Sequence, residues 1–220
     1  MSSARPELIF VHIPKTAGSS FEAILKAVYG SEQVKRWRRD NAGSFDDLRK
    51  WPRVISGHFP LGKYAPAFPD AATITWLREP AARLFSMYFY FRNPPTPRAP
   101  ITALRKAVEH DGISLEEFVE LCPKNPFTDR FLRGYSLADL DFVGITEHFA
   151  DDLRDLAQKL SWPDVHVARE RVTVTGEYKH FHPSSRLLRR IRELHHDDIE
   201  LYEEALELRR SRLASLKGAQ

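Results

Sequence analysis

Apolar positions along the chain follow two periods. Leu8-Ile9-Phe10-Val11 is a short unbroken apolar run, and Val54-Ile55-Ser56, Ala71–Leu77 and Asp141–Ile145 are built alike. Runs this short predict buried strands, at about 8–13, 53–57, 72–77 and 141–145. Between them the period lengthens. Phe21, Ile24, Leu25 and Val28 recur at helical spacing, as do Phe149, Leu153, Leu156 and Leu160; each set lines one face of a helix. Pro80 suits the first residue of a helix. Ser114 and Glu117 form a capping box for a helix running to about Leu121. Ser44 is expected to cap a short helix through Leu48, and Thr146 the helix that carries Phe149. From Ser184 onward the pattern is helical, with a break at His195-His196-Asp197-Asp198. There Asp197 is expected to cap the last helix at a solvated junction. The proline-dense Arg92–Pro100 reads as a loop, and Val165–Gly176 as short extended pieces.

Strands alternating with helices predict an α/β fold: a mainly parallel central sheet flanked by helices on both faces, joined by right-handed crossovers. The 220 residues suit one domain over 1–220. Hydrophobic residues at 42% and charged residues at 29% describe an ordinary globular protein. The net charge is only +3, yet basic residues cluster at Lys35-Arg36-Trp37-Arg38-Arg39, Arg189-Arg190-Arg192 and Arg209-Arg210-Arg212. Such clusters suit anionic ligands or a solvated helix face. Cys122 is the single cysteine, which excludes an intramolecular disulfide and fits a reducing compartment. The apolar stretch before Lys15 is too short for a signal segment, and no stretch has the length to span a bilayer. A cytoplasmic protein is expected. Trp37 and Trp51 read as packing residues. The junction His195–Asp198 makes a poor metal set, because adjacent helical residues do not share a face, and no metal is expected.

The first strand runs into His12-Ile13-Pro14-Lys15-Thr16-Ala17-Gly18-Ser19-Ser20, and a helix follows. The first N–H groups of a helix lack internal partners and carry the positive end of its dipole, so this turn can hold an anion. Gly18 lets the backbone approach it, Thr16, Ser19 and Ser20 supply hydroxyls, and Lys15 a positive charge. Pro14 keeps Ile13 out of the helix. The usual nucleotide-binding loop places its lysine after a glycine; here Lys15 comes before Gly18.

The second strand ends in Gly57-His58, where open α/β sheets bind ligands. Residue chemistry alone suits a buried, hydrogen-bonded histidine as well as a catalyst. Arg78 closes the third strand, and Ser86 lies two turns into the next helix, which carries Arg83, Ser86 and Tyr90 along one side. An arginine fork and a hydroxyl in that order can hold a dianionic phosphate; pairing of Arg78 with a core carboxylate is the plainer alternative. Lys15, His58 and Arg78 all follow strand ends, so the fold would gather them on one rim.

Two stretches carry a family resemblance. Pro14–Phe21 resembles the 5′-phosphosulfate loop of sulfotransferases that use 3′-phosphoadenosine 5′-phosphosulfate (PAPS). Leu77–Tyr88 resembles their 3′-phosphate motif, with Arg78, Pro80, Arg83 and Ser86 in register. Gly57-His58 matches the pair that supplies the catalytic base in the carbohydrate (heparan-sulfate 2-O-type) branch. Asn125 and Arg130 match a segment near the acceptor, and Val143–Glu147 is also similar, with Glu147 read as structural. The resemblance implies a P-loop-NTPase-like sulfotransferase fold and transfer of a sulfuryl group from PAPS to a hydroxyl acceptor, a glycan or small molecule. It implies cofactor contacts from Lys15, Thr16, Ala17, Gly18, Ser19, Ser20, Arg78 and Ser86. His58 is then the base and Lys15 the charge that meets the leaving phosphate. A cofactor-covering loop is expected near Thr175-Gly176 and Tyr178-Lys179; it lacks the family's asparagine-serine pair, and Lys179 is its candidate. Two other functions remain open. A metal-dependent nucleotide kinase needs Mg²⁺ and a strand-end aspartate, which no predicted strand supplies. A polyanion-binding module built on the cluster near Trp37 leaves the pairing of Lys15 with Arg78 and Ser86 without purpose, and no nucleic-acid partner is expected.

Overall fold

The computed structural model describes residues 5–37, 52–93, 102–163 and 181–218. The expectations for Arg38-Arg39, Ser44–Leu48, Trp51, residues 94–100, Val165–Gly176, Tyr178 and Lys179 fall outside the described residues. Among the described residues there are five strands: β1 (Leu8–Val11), β2 (Val34–Trp37), β3 (Val54–Gly57), β4 (Ala72–Leu77) and β5 (Phe142–Ile145). They form one sheet in the order β2-β3-β1-β4-β5, and every neighbouring pair is parallel. The helices are α1 (Gly18–Tyr29), α2 (Pro80–Arg92), α3 (Ala103–Glu109), α4 (Leu115–Leu121), α5 (Phe149–Lys159), α6 (Ser185–Leu194) and α7 (His196–Gly218).

Four strands coincide with the apolar runs; β2 does not. Val34-Lys35-Arg36-Trp37 is an edge strand with only Val34 fully buried, and charged residues are what edge strands carry. β1 stops at Val11, so His12 and Ile13 belong to the turn beyond it. The inner strands β1 and β3 are buried throughout, as a sheet covered on both faces requires. Alternation divides the core. Leu8 and Phe10 pack with Phe21, Ile24 and Leu25 of α1 and Leu153 and Leu156 of α5. Ile9 and Val11 face the other way, into a cluster that includes Tyr202 and Ala205 of α7. A third cluster joins α2, α3, α4 and α6. The capping box at Ser114 forms with Glu117, and Ser184 caps α6 by accepting from the Leu187 N–H. Thr146 does not cap α5; its hydroxyl donates to the Leu77 carbonyl at 2.8 Å and ties β5 to the end of β4.

The basic clusters of the last helices serve the fold. Asp152 is fully buried. It accepts from the Ile145 N–H at 2.8 Å, Arg209 Nε at 2.6 Å and Arg212 Nη2 at 3.0 Å, which straps α7 across α5 and β5. Arg190 pairs with Glu120 and Glu193, and Arg210 with Glu207.

The junction of α6 and α7 departs from the solvated cap expected there. His195 and Asp198 are fully buried. Burial, with Arg83 and Lys124 nearby, pushes the His195 ring down to about 4. Burial raises Asp198 to about 7 although Arg83 opposes it. Asp198 accepts from the Phe127 and Thr128 N–H groups at 2.9 and 3.2 Å and so caps a single π-turn over Phe127–Phe131. Asp197 takes the Asn125 amide at 3.0 Å and is the second residue of α7, which starts at His196, and not its cap. Arg83, on the side of α2 that also carries Ser86 and Tyr90, is buried and lies over the Phe127 ring, 5.3 Å from its centroid. On the exposed start of α7, His196, Asp197 and Glu200 bring their ligand-type atoms within 4.8 Å of one another, and the His196 ring pairs with both carboxylates. Among the described residues no helix is long and apolar enough to cross a membrane.

Candidate active site

Of the three central strands, β3-β1-β4, β1 and β3 end side by side, with Val11 in register with Gly57, while β4, in register at Thr75, runs two residues further to Leu77. The segments leaving these strands therefore meet on one rim, where a sheet whose chain leaves β1 in both directions opens a crevice. The turn 12–17 comes after β1, His58 after β3, and Arg78 after β4.

The turn is held open from within. Lys15 and Ala17 both adopt left-handed backbone, φ 72° and 61°, a conformation that costs a non-glycine residue about 1–3 kcal/mol and collects at ligand sites. Alternating handedness of this kind points successive N–H groups into one hollow. Ala17 is the N-cap of α1, offers no side-chain cap, and no acidic residue follows in the first turn. Thr16 is fully buried, and its hydroxyl donates to the Ile13 carbonyl at 2.9 Å. That side chain shapes the turn; the hydroxyl does not face outward as the sequence suggested. Ser19 is exposed, and Lys15 and Ser20 are half-buried.

Gly18 has a different reason from the one expected. Its φ is ordinary; the backbone strain sits at its neighbours. A methyl group at residue 18 would lie 1.8 Å from His12 Nε2, so glycine makes room for the His12 ring. Gly57 is needed in both ways: its φ is +151°, and a Cβ there would stand 2.7 Å from the Trp37 carbonyl oxygen of β2. This close approach delivers His58 to the rim.

His58 is half-buried. Its Nδ1 lies 2.5 Å from the His12 carbonyl oxygen. A carbonyl only accepts, so Nδ1 carries the proton and Nε2 keeps its lone pair. Burial lowers the ring below its ordinary value, as do Arg36 and Arg130; the His12 carbonyl and Glu22 act the other way. Glu22 of α1 is buried and lies between Lys26 at 3.1 Å and Arg36 at 3.5 Å.

Arg78 reaches the same turn. Its Nη1 donates to the Lys15 carbonyl at 3.2 Å, and its Nε stands 4.0 Å from Glu147 Oε1. Glu147 in turn accepts from the Glu79 N–H at 3.2 Å and the Tyr202 hydroxyl at 3.1 Å. Arg78 thus has a carboxylate neighbour, an exposed one and not a core one, and it also touches the turn. Lys15 Nζ lies over the Tyr90 ring, 4.0 Å from the centroid. Tyr90 and half-buried Ser86 are four residues apart on α2 and share a face, so that face borders the lip of the turn.

The structure thus gathers Lys15–Ser20, His58, Arg78 and the Ser86 face of α2 on one rim. Asn125 stands apart from them, hooked to Asp197 and to the Asp198 N–H. Arg130 is exposed and acts on His58 electrostatically. Sequence reasoning gave no role of their own to His12, Glu22 or Tyr90, and read Arg36 only as part of a basic cluster. For His12 a signal existed: residues 8, 10 and 12 alternate onto one face, and a histidine at its end breaks an apolar series.

Residues 1–203 match a family model described as the sulfotransferase family. No curated protein matches the sequence. Among solved structures the chain is similar to mouse sulfotransferase SULT7A1 complexed with PAP, at 16% identity and a TM-score of 0.53 over 86% of this chain and 82% of that one; the likeness is one of fold. A sulfotransferase from Alicyclobacillus acidocaldarius shares 19% identity, with a TM-score of 0.45 over 93% of this chain and 96% of that one.

Proposed function

The chain belongs to the sulfotransferase family, and from that membership we propose that it moves a sulfuryl group from PAPS to an acceptor hydroxyl on a carbohydrate or small metabolite. Residues 1–220 form one catalytic domain in this reading, nearest the carbohydrate 2-O type by its Gly57-His58 pair, and cytoplasmic by its single cysteine. The observation that carries it is the contact of Arg78 with the Lys15 turn beside His58. A nucleotide with phosphate at both ends of its ribose needs two anion pockets joined by one cleft. The bound PAP of the mouse relative, a protein of the same fold, makes that nucleotide the natural occupant.

The residues fit it. The start of α1, where Ala17 offers no side-chain cap, would meet the 5′-phosphosulfate with the backbone of Thr16 to Ser20, with Lys15 at the lip. Arg78 and Ser86 take the 3′-phosphate, and Lys179 is retained as a further candidate. His58 Nε2 takes the proton of the acceptor hydroxyl as its oxygen attacks sulfur; the bond from sulfur to the bridging phosphate oxygen breaks, and adenosine 3′,5′-bisphosphate leaves. General-base action of this kind is worth about 100- to 10,000-fold. The Lys15 ammonium meets the charge that develops on the leaving oxygen.

Calorimetric titration with PAPS, adenosine 3′,5′-bisphosphate and ATP, each with and without Mg²⁺, tests the nucleotide. Tight metal-independent binding of the bisphosphate is expected. ATP binding that demands Mg²⁺ and outcompetes the bisphosphate would mean a kinase. Transfer from a labelled sulfate donor across a panel of glycans and small alcohols then identifies the acceptor.

A further inference from the structure

His12 touches both the proposed base and the start of α1. Its carbonyl holds His58 Nδ1 at 2.5 Å. Its ring lies 4.4 Å, centroid to centroid, from the His58 ring, and its Nε2 edge rests on Gly18 so closely that no methyl group fits between them. The other ring face stacks on Phe10 at 5.4 Å and 12°. The ring is 4% exposed, and its Nδ1 is buried with no hydrogen-bond partner among the described residues.

An unanswered buried nitrogen destabilises the fold. A leucine or phenylalanine would fill the same space against Phe10 without that cost, so packing alone does not account for a histidine here. Its charge state is also set. Burial, then His58, Arg36 and Lys15, hold the ring well below its ordinary value, so it is neutral wherever the base is neutral. The charged and titratable groups around the two rings are Lys15 from the turn, Glu22 from α1, Arg36 from β2 and Arg130 from the π-turn.

We infer that His12 is a positioning residue that couples the two halves of the site, wedged between the first turn of α1 and the ring of His58. The inference rests on the proposed function for the identity of the ligand. An anion bound at the start of α1 holds Gly18; Gly18 bears on the His12 ring; and the ring, with its own carbonyl, keeps His58 turned so that Nε2 faces outward. The base is then aligned when the donor is in place. His12 itself exchanges no proton in the reaction.

The test uses the full chain. Nitrogen-15 NMR of the histidine rings between pH 5 and 8 should show His58 with its proton on Nδ1, His12 staying neutral to lower pH than an ordinary histidine, and both signals moving when adenosine 3′,5′-bisphosphate is added. His12→Ala should keep affinity for that nucleotide within a few-fold and lower kcat by about ten- to a hundredfold, the range that ångström-scale misplacement of a catalytic group produces. The acid limb of its rate profile should move up toward the ordinary histidine value as water reaches His58. Gly18→Ala should lose nucleotide affinity because its methyl strikes the ring; adding His12→Ala to it should restore binding and leave kcat low. Unchanged kcat and acid limb in His12→Ala, or a wild-type His58 protonated on Nε2, would overturn the inference. A wild-type chain that binds no adenosine bisphosphate would instead sink the proposed function, and the ring tautomers would still be read.

Discussion

Two helices begin on the same rim of the sheet, and they begin in opposite ways. α2 starts closed. Pro80 has no N–H to satisfy, and the Glu79 carboxylate accepts from the Ala81 and Ala82 N–H groups at 3.0 and 2.6 Å. Its dipole already faces an anion of its own chain. α1 starts open: an alanine cap, no acid in the first turn, two strained residues before it and a lysine at the lip. A helix start that only ends a connection is answered by its own side chains. The start that has no side-chain cap of its own, beside Arg78 and His58, is the one proposed to take the ligand. In that reading the site is asymmetric: donors come from α1, while α2 contributes a face, through Ser86 and Tyr90, and not its terminus.

Substitutions at the two starts should separate accordingly. The largest effect is expected at the open one. Lys15→Ala should lower kcat by about 100- to 1,000-fold, the usual loss for one preorganised donor, with little change in melting temperature; near-normal turnover with labelled PAPS would remove lysine from the leaving-group role. Next, His58→Ala should cost about 100-fold or more in kcat while calorimetry finds adenosine bisphosphate bound almost as before. Arg78→Ala should weaken that nucleotide by about ten- to a hundredfold, as loss of a charged hydrogen bond of about 1.5–3 kcal/mol implies. An analogue without the 3′-phosphate should be far less affected, and equal losses for both would take Arg78 out of the 3′ pocket.

The pH dependence sharpens the same contrast. A histidine base works only when unprotonated, and the folded-state value of His58, the proposed base, lies below the ordinary 6.5. The rate should accordingly rise with pH, reach half-maximum below 6.5 and be flat through neutrality; an acid limb above 6.5 would mean another group. The smallest effect belongs to the closed start. Glu79→Ala should cost about 1 kcal/mol of stability, as lost caps do, and leave nucleotide affinity nearly intact. A large loss of affinity there would erase the distinction between the two helices.

Much of this was legible beforehand because it is local. Four apolar runs became β1, β3, β4 and β5, and Pro80, Ser114 and Ser184 marked helix starts, since strand burial and capping depend on neighbours in sequence. The order of strand, turn and helix at Lys15, with a strand-end arginine at Arg78, already named the rim on which the site is built. β2 escaped because its charged edge has no apolar run to notice. The Arg209 and Arg212 cluster looked like a surface for anions because their partners Asp152 and Asp155 lie more than fifty residues away.

By itself, then, the sequence determined the kind of fold, the turn that could hold an anion and the family to which its motifs belong. Tertiary structure alone decided why residue 18 is glycine, where the Thr16 hydroxyl points, that His195 and Asp198 are buried, and that the carbonyl of His12 sets the tautomer of His58 across 46 residues. Hydrophobic period and turn chemistry are properties of adjacent residues. Hydrogen bonds between the ends of neighbouring strands depend on register, and register exists only once the sheet has formed.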